Sequence, residues 1–242
     1  PMRRPEEALL AAGDVRANEN LGLLSIQTVF MREHNRLAKD LAKQYPEATD
    51  EQLYQSARKV VGAQIQKITF DEILPSLLGE DAISAYQGYQ PETDASINNI
   101  FASAAFRMGH SQVGRAIRRI EENGDEIEHG HVCVRAGYHQ APRLVNEGGV
   151  EPILRGLSEY LQESTDTMVV DDLRNFLFGR PGQGGLDLAA VNIQRGRDHG
   201  LPSFNKVRES YGLPAVESFA QLNDDPKVVA ALESVYDSPA KL

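Results

Sequence analysis

Cysteine is scarce in this sequence, since Cys133 is the only one among 242 residues. No intrachain disulfide can form, and a metal site built from several cysteines is excluded. We expect Cys133 to be a small buried hydrophobic residue. Long apolar runs are lacking too, so no membrane span is expected. The first residues also lack the apolar core of a signal peptide.

Basic residues are outnumbered, with 25 lysines and arginines against 35 aspartates and glutamates, for a net charge of -10. Such a balance argues against nucleic-acid binding, because a phosphate backbone requires a basic surface. Hydrophobic residues make up 41% and charged residues 25%, as in an ordinary globular protein. Repeats and linker-like stretches are missing, and we therefore expect a single domain over residues 1–242.

Several catalytic signatures are also missing. There is no His-Glu-x-x-His pattern, so a hydrolytic zinc site is not expected. The glycines from Gly179 to Gly185 lack both the lysine of a phosphate-binding loop and the strand–helix context of a nucleotide-binding one. The Gly-x-Ser-x-Gly elbow of serine hydrolases does not occur.

Helical periodicity dominates the pattern that is present, and we expect an all-α fold with little or no β structure. The first predicted helix begins near Leu23 and ends before Pro46. A capping box formed by Thr49 and Gln52 predicts the start of the second, which Pro75 interrupts. Further helices are predicted over 97–108, 152–162, 171–178, 186–195, 202–211 and 225–236. A weak strand candidate covers residues 132–134.

Among the six histidines, His110 has the most distinctive surroundings. It ends an apolar helix that is rich in small residues. Gly109 leaves room for a planar group to approach the backbone closely. Arg107 lies one helical turn earlier, where it can meet an anionic group. Taken alone, however, this setting is better explained by a buried histidine with a satisfied hydrogen bond.

Four segments considered together favour a ligand role for His110 instead, and two more agree with them. They are 12–19 (AGDVRANE), 32–37 (REHNRL), 106–110 (FRMGH) and 192–202 (NIQRGRDHGLP), with 54–63 and 152–157 in support. Their order and spacing resemble those of the animal (myeloperoxidase-like) haem peroxidases, over nearly the whole chain. The resemblance implies a mainly helical haem peroxidase domain of which this chain is the central part.

By this resemblance, His110 is the proximal haem ligand and Asn192 hydrogen-bonds its other ring nitrogen. Such a partner fixes the imidazole tautomer and sets how much electron density reaches the iron. An amide is a weaker acceptor than a carboxylate, so the imidazole is expected to stay close to neutral. Arg107 and Arg195 are candidates for pairing with the haem propionates. The cluster of Arg195, Arg197, Asp198 and His199 fits a structural ion-pair network equally well.

The same resemblance makes Arg16 the distal arginine, whose permanent charge would polarise the peroxide O–O bond. Glu19 corresponds to a carboxylate that is esterified to a haem methyl group. In a helical turn the two side chains lie on one side, roughly 5–6 Å apart at Cβ. An exposed Arg16–Glu19 ion pair of little consequence is the alternative. Asn20 replaces a methionine that forms a third link in some members, and His34 is expected to be structural.

In the family, the distal histidine, a second ester-forming aspartate and a calcium-binding loop precede the segment near Gly13. Residues 1–12 contain neither histidine nor aspartate. We therefore expect calcium binding to belong to the full domain, through a loop absent from this chain, and the remaining part of the domain to be a partner. A positioned acid–base group contributes about 10²–10⁴-fold to the rate, so full activity is expected only together with that region.

The resemblance implies a haem-dependent peroxidase that reduces hydrogen peroxide while oxidising a halide or a small organic reductant. It also implies a role in the response to oxidative stress, and an extracellular or secreted location. Two alternatives remain open. One is a non-catalytic helical module that binds haem or a partner. The other is a haem-dependent fatty-acid oxygenase related to cyclooxygenases, which carry a radical-forming tyrosine where this chain has Arg107.

Overall fold

The computed structural model describes residues 9–14, 16–180 and 182–242. They belong to two compact units, which we describe separately. The first unit contains the described residues up to 95 together with 116–161. The second unit contains residues 96–115 and the described residues from 162 to 242. The prediction of a single domain over residues 1–242 stays a prediction.

The regular structure is almost entirely helical, which confirms the predicted all-α fold class. In chain order the α-helices of the described residues are α1 (Leu21–Gln44), α2 (Asp50–Ile68), α3 (Leu74–Leu78), α4 (Asn99–Ser103), α5 (Ala141–Asn146), α6 (Glu151–Glu159), α7 (Asp171–Arg174), α8 (Leu188–Asp198), α9 (Phe204–Ser210) and α10 (Pro226–Glu233). None of the helices in this part of the chain has both the length and the apolar character that a membrane crossing requires.

Helices α1 and α2 pack against each other in the first unit. The Oδ1 atom of Asn20 caps α1 by accepting from the backbone N–H of Gly22 at 2.8 Å. The predicted capping box at the start of α2 is confirmed, because Thr49 and Gln52 each accept the other's backbone N–H. His34, in the middle of α1, lies 3.2 Å through Nε2 from the backbone oxygen of Tyr54 in α2, as expected for a structural residue.

The interruption predicted at Pro75 takes the form of a change in helix type. A π-helical turn (Thr69–Ile73) follows α2 directly, and α3 continues from it with Pro75 in its first turn. The helix is continuous here, so Pro75 removes one backbone hydrogen bond of the helix, and the wider π-helical turn lies where the regular α-helical bonding is interrupted. Gly79 ends α3 with a φ of 98°, and its N–H donates to the carbonyl of Pro75 at 2.8 Å.

A short antiparallel pair, β1 (Ala116–Ile117) and β2 (Val132–Cys133), also belongs to the first unit. The weak strand candidate over 132–134 is therefore correct for its first two residues. The prediction that Cys133 is buried is wrong, because its side chain is exposed. Side chains alternate between the two faces of a strand, and here Val132 and Val134 take the buried positions.

Arg119, in the same unit, is the largest side chain that is almost fully enclosed, with 1% of its surface exposed. Its Nη1 atom pairs with a carboxylate oxygen of Glu147 at 2.6 Å. The Nε and Nη2 atoms each donate to a backbone oxygen at 2.7 Å, those of Gly130 and His129 respectively. Because the buried charge is paired and hydrogen-bonded, it connects three segments without an unsatisfied donor at these atoms.

The second unit is arranged around α8, which contacts both α4 and α7. Helix α10 begins as predicted, with Asp225 accepting from the N–H of Lys227 at 2.8 Å and Pro226 in the first turn. Helix α9 packs against the last 3₁₀ turn, where the N–H of Phe204 donates to the carbonyl of Leu242 at 2.9 Å. The helix predicted over 171–178 is shorter, ending at Arg174.

Gly156 in α6 is the position of the first unit most sensitive to an added methyl group. A Cβ atom there would lie 2.1 Å from the backbone oxygen of Arg118. We expect Gly156→Ala to lower the free energy of unfolding by about 3 kcal/mol, since neither backbone can yield without repacking. Denaturant unfolding measures this change.

Gly62→Ala in α2 is the matched control, because a Cβ at that position meets no atom within 4 Å. Alanine favours a helix over glycine by roughly 0.5–1 kcal/mol, so this variant should be slightly more stable than the natural sequence. Equal effects of the two substitutions would contradict the close packing of α6 on Arg118.

Candidate functional site

His110 is the last residue of a 3₁₀ helix (Ala105–His110) that follows α4. The single helix predicted over 97–108 is therefore wrong: it breaks at Ala104, whose φ of −134° and ψ of −69° lie outside the helical region. A 3₁₀ helix has three residues per turn, so residues three apart lie directly above one another. Arg107 and His110 consequently share one face.

Asn192, in the first half of α8, contacts this face. Its side-chain Nδ2 lies 2.8 Å from Nδ1 of His110. The two residues are 82 positions apart in the sequence, and both are half-buried. The predicted proximity of the histidine and the asparagine is thus present in the structure.

Two further hydrogen bonds stabilise α8 and its position beside α4. Oδ1 of Asp187 accepts from the N–H of Ala189 at 2.9 Å and so caps the start of α8. At the other end, Nδ1 of His199 lies 2.9 Å from Oδ1 of Asn99 in α4. Because that oxygen is an acceptor, the histidine nitrogen donates. His199 therefore joins α8, which carries Asn192, to α4, which precedes the 3₁₀ helix that ends at His110.

Arg107 is the third member of the group. Its Nη1 donates to Oδ1 of Asn192 at 3.1 Å. Its Nε is buried and has no hydrogen-bond partner among the residues that the structure describes. Burial, and then the nearby charge of Arg107, lower the pKa of His110 below its usual 6.5, so the imidazole is neutral at pH 7.

The other ring nitrogen of His110 is open to a ligand. The hydrogen bond that the structure shows for the His110 ring is made through Nδ1, which leaves Nε2 for a ligand. Gly109 adds space, since a Cβ atom placed there would have only Oε1 of Gln112 within 4 Å, at 3.9 Å. A neutral imidazole nitrogen of this kind is a common metal ligand.

The turn after His110 contributes residues that sequence analysis did not identify. Ser111 is buried, and its Oγ donates to the backbone oxygen of Met108 at 2.8 Å. Gln112 binds the segment that follows α6: its carbonyl accepts from the N–H of Glu163 at 3.0 Å, and its Nε2 donates to Thr165 at 2.8 Å. No local pattern signals such contacts, because the partners are some fifty residues apart.

The remaining predicted site residues are placed elsewhere. Arg195 lies one turn after Asn192 on α8 and is exposed. Arg16 and Glu19 belong to the first unit. Arg16 is exposed and pairs with Asp14 at 3.3 Å rather than with Glu19, whose backbone N–H donates to the carbonyl of Arg16 at 2.9 Å. Their predicted roles are taken up below as proposals.

Comparison with known proteins places this geometry in context. The sequence matches the family profile described as animal haem peroxidase over residues 2–242. It is 44% identical over 234 residues to peroxinectin A of Dictyostelium discoideum, a match that covers 97% of this chain and 43% of that protein. It is 41% identical over 218 residues to thyroid peroxidase of Sus scrofa, covering 88% of this chain and 24% of the relative.

A solved structure agrees with these matches. Peroxidase A from Dictyostelium discoideum superimposes with a TM-score of 0.92 at 42% identity, over 99% of this chain and 46% of the other. The chain thus spans less than half the length of the relatives described here. With a family profile matched from residue 2 to residue 242, this chain belongs to the animal haem peroxidase family.

Proposed function

We propose that this chain is part of a haem-dependent peroxidase that reduces hydrogen peroxide while oxidising a halide or a small organic reductant. One observation supports this proposal above the others. His110 is held at Nδ1 by Asn192, at 2.8 Å, and its Nε2 is open. Membership of the animal haem peroxidase family makes haem the group that such a nitrogen would bind.

The residues around His110 fit a haem in two respects. Iron binds an imidazole only when the ring is neutral, and the lowered pKa of His110 favours the neutral ring, which lies beside the open space at Gly109. The carboxylates of a haem need cationic donors, and the Nε of Arg107 is a buried donor without a partner in the described residues.

Each residue then has a separate task. When bound, the haem supplies the iron that exchanges electrons with hydrogen peroxide and the reductant. His110 would hold that iron through Nε2, and Asn192 would fix the plane and the tautomer of the imidazole. Arg107 and Arg195 would pair with the two carboxylates.

Arg16 and Glu19 are assigned by resemblance to the family. We propose that Arg16 stabilises the negative charge that develops on the leaving oxygen of the peroxide, which its permanent charge suits. We propose that Glu19 would hold the haem covalently, as an ester to one of its methyl groups. Hydrogen peroxide would be the two-electron oxidant that the loss of the methyl C–H bond requires. Calcium binding is proposed for the full family domain.

Removal of the proposed iron ligand is the first test. The chain is mixed with ferric haem, and the Soret spectrum is recorded against haem concentration. We expect His110→Ala to weaken binding by more than roughly 100-fold, because loss of a ligand costs more than loss of its hydrogen-bond partner, which costs about 10–100-fold. Circular dichroism verifies that the variant is folded.

His129→Ala serves as the control, since His129 is an exposed histidine of the first unit. It should bind haem as the natural sequence does. Oxidation of bromide or a phenol when the bound form is titrated with peroxide would then favour a peroxidase over a module that only binds haem. A His110→Ala spectrum identical to that of the natural sequence would show that His110 is not the ligand.

Changes at Asn192 test the tuning of the iron. Asn192→Ala should weaken haem binding by about 10–100-fold, because the imidazole is no longer held in one orientation. Asn192→Asp should lower the iron reduction potential, since a carboxylate accepts more strongly from the ring and makes the ligand more electron-rich. Gln194→Ala, an exposed position on the same helix, is the control. An unchanged potential in Asn192→Asp would argue against contact between the two side chains in the bound state.

The pH dependence of His110 has a defined sign. Because its pKa in the folded chain is lowered below 6.5, the unfolded chain binds this proton at a higher pH than the folded chain does. The folded state therefore loses stability as the pH falls through 6.5 toward the folded value. An NMR titration of the haem-free chain should place the midpoint below 6.5, and a midpoint at or above that value would contradict the burial of the ring.

A further inference from the structure

The side chains of Arg107, Asn192 and His110 form a hydrogen-bonded series within the second unit. Nη1 of Arg107 lies 3.1 Å from Oδ1 of Asn192, and Nδ2 of Asn192 lies 2.8 Å from Nδ1 of His110. Arginine carries donors only, whereas the asparagine amide has one donor end and one acceptor end. Arg107 therefore determines which atom donates and which accepts in each hydrogen bond of the series.

The direction determines where the imidazole proton lies. Since Arg107 donates, the amide oxygen of Asn192 must face the guanidinium, and the amide NH₂ must face His110. Nδ1 of His110 then accepts a hydrogen bond and carries no proton. In the neutral ring the proton is consequently on Nε2.

Iron binding requires the opposite tautomer. A neutral imidazole that binds a metal through Nε2 uses the lone pair of that nitrogen, so its proton must be on Nδ1. A protonated Nδ1 needs an acceptor, and Asn192 can offer only its oxygen. If the amide turned while Arg107 stayed in place, two donors would face each other across the 3.1 Å contact.

We infer that Arg107 is a positioning residue that holds His110 in the tautomer unable to bind iron, and that haem binding displaces Arg107 from Asn192. The amide then rotates, Nε2 releases its proton to water, and Nδ1 takes one from water and donates to the amide oxygen. The guanidinium exchanges its neutral acceptor for a carboxylate of the haem, with the buried Nε of Arg107 as a second donor. This inference rests on the proposed function. It means that the carboxylates of the haem favour the tautomer of His110 that can bind the iron.

The tautomer is measured without any haem. ¹⁵N NMR of the histidine rings at pH 8, well above the ordinary histidine pKa of about 6.5, distinguishes the protonated from the unprotonated nitrogen. In the natural sequence we expect Nε2 of His110 to carry the proton. Arg107→Met removes the donor, so the amide is free to turn and the Nδ1-protonated form should increase. Arg197→Met, an exposed position on α8, should leave the spectrum unchanged.

The proposed exchange of the Arg107 acceptor, from the Asn192 oxygen to a haem carboxylate, is tested with two probes. They are ferric haem and its dimethyl ester, which lacks free carboxylates. Arg107→Met should weaken binding of haem by about tenfold, because a charge-assisted pair is lost. The same variant should strengthen binding of the dimethyl ester severalfold, because no donor opposes the ligating tautomer. Equal effects on both probes would overturn the exchange.

The outcomes separate this inference from the proposed function. An Nδ1-protonated His110 ring in the haem-free natural sequence overturns the inference even if haem binds. This measurement uses the natural sequence alone, so it does not depend on whether a variant folds. An unchanged tautomer in a folded Arg107→Met variant overturns it as well. Failure of the natural sequence to bind either probe would reject the proposed function, whatever the tautomer of His110.

Discussion

The contact between His110 and Asn192 is the interaction on which the second unit's site depends. A single 2.8 Å hydrogen bond joins a short 3₁₀ helix to the first half of α8. It determines the orientation of the imidazole and leaves one nitrogen open. Asp187 matters because it stabilises the start of α8, and the His199–Asn99 bond matters because it holds α8 beside α4.

The local charges support the same arrangement. A histidine that is half-buried next to a permanent cation is held neutral, which is the state in which a ring nitrogen can bind a metal. Arg107 therefore has two effects at once. Its charge keeps a proton off the imidazole at neutral pH, and its hydrogen bond to Asn192 orients the amide beside the ring.

Much of the helical fold could be predicted from short-range chemistry. Thr49 and Gln52 form a capping box that needs only four residues to recognise, and Asp225 followed by Pro226 marks the start of α10 in the same way. The break at Ala104 could not be predicted, because alanine and its neighbours have good helical character and no proline or glycine marks the position. The burial of Cys133 was predicted incorrectly, since the alternation of a two-residue strand overrides the ordinary preference of cysteine for the interior.

The site itself was predictable only in part. The spacing of four motifs, and not any single one of them, pointed to His110 and Asn192, which the structure brings together. The contact of Arg107 with the amide oxygen, and the ties from Gln112 to residues 163–165, have no signature in the sequence. Contacts of that kind depend on how α8 and the segment after α6 return to the turn that follows His110.

The 3₁₀ helix that ends at His110 also limits how the chain can change during evolution. With three residues per turn, each position is rotated by about 120° from the last, so Arg107 and His110 stay aligned only if two residues separate them. Replacing either intervening side chain preserves that alignment. Inserting or deleting a single residue would turn one group a third of a circle away from the other. Variation in this segment is therefore expected in residue identity and not in length.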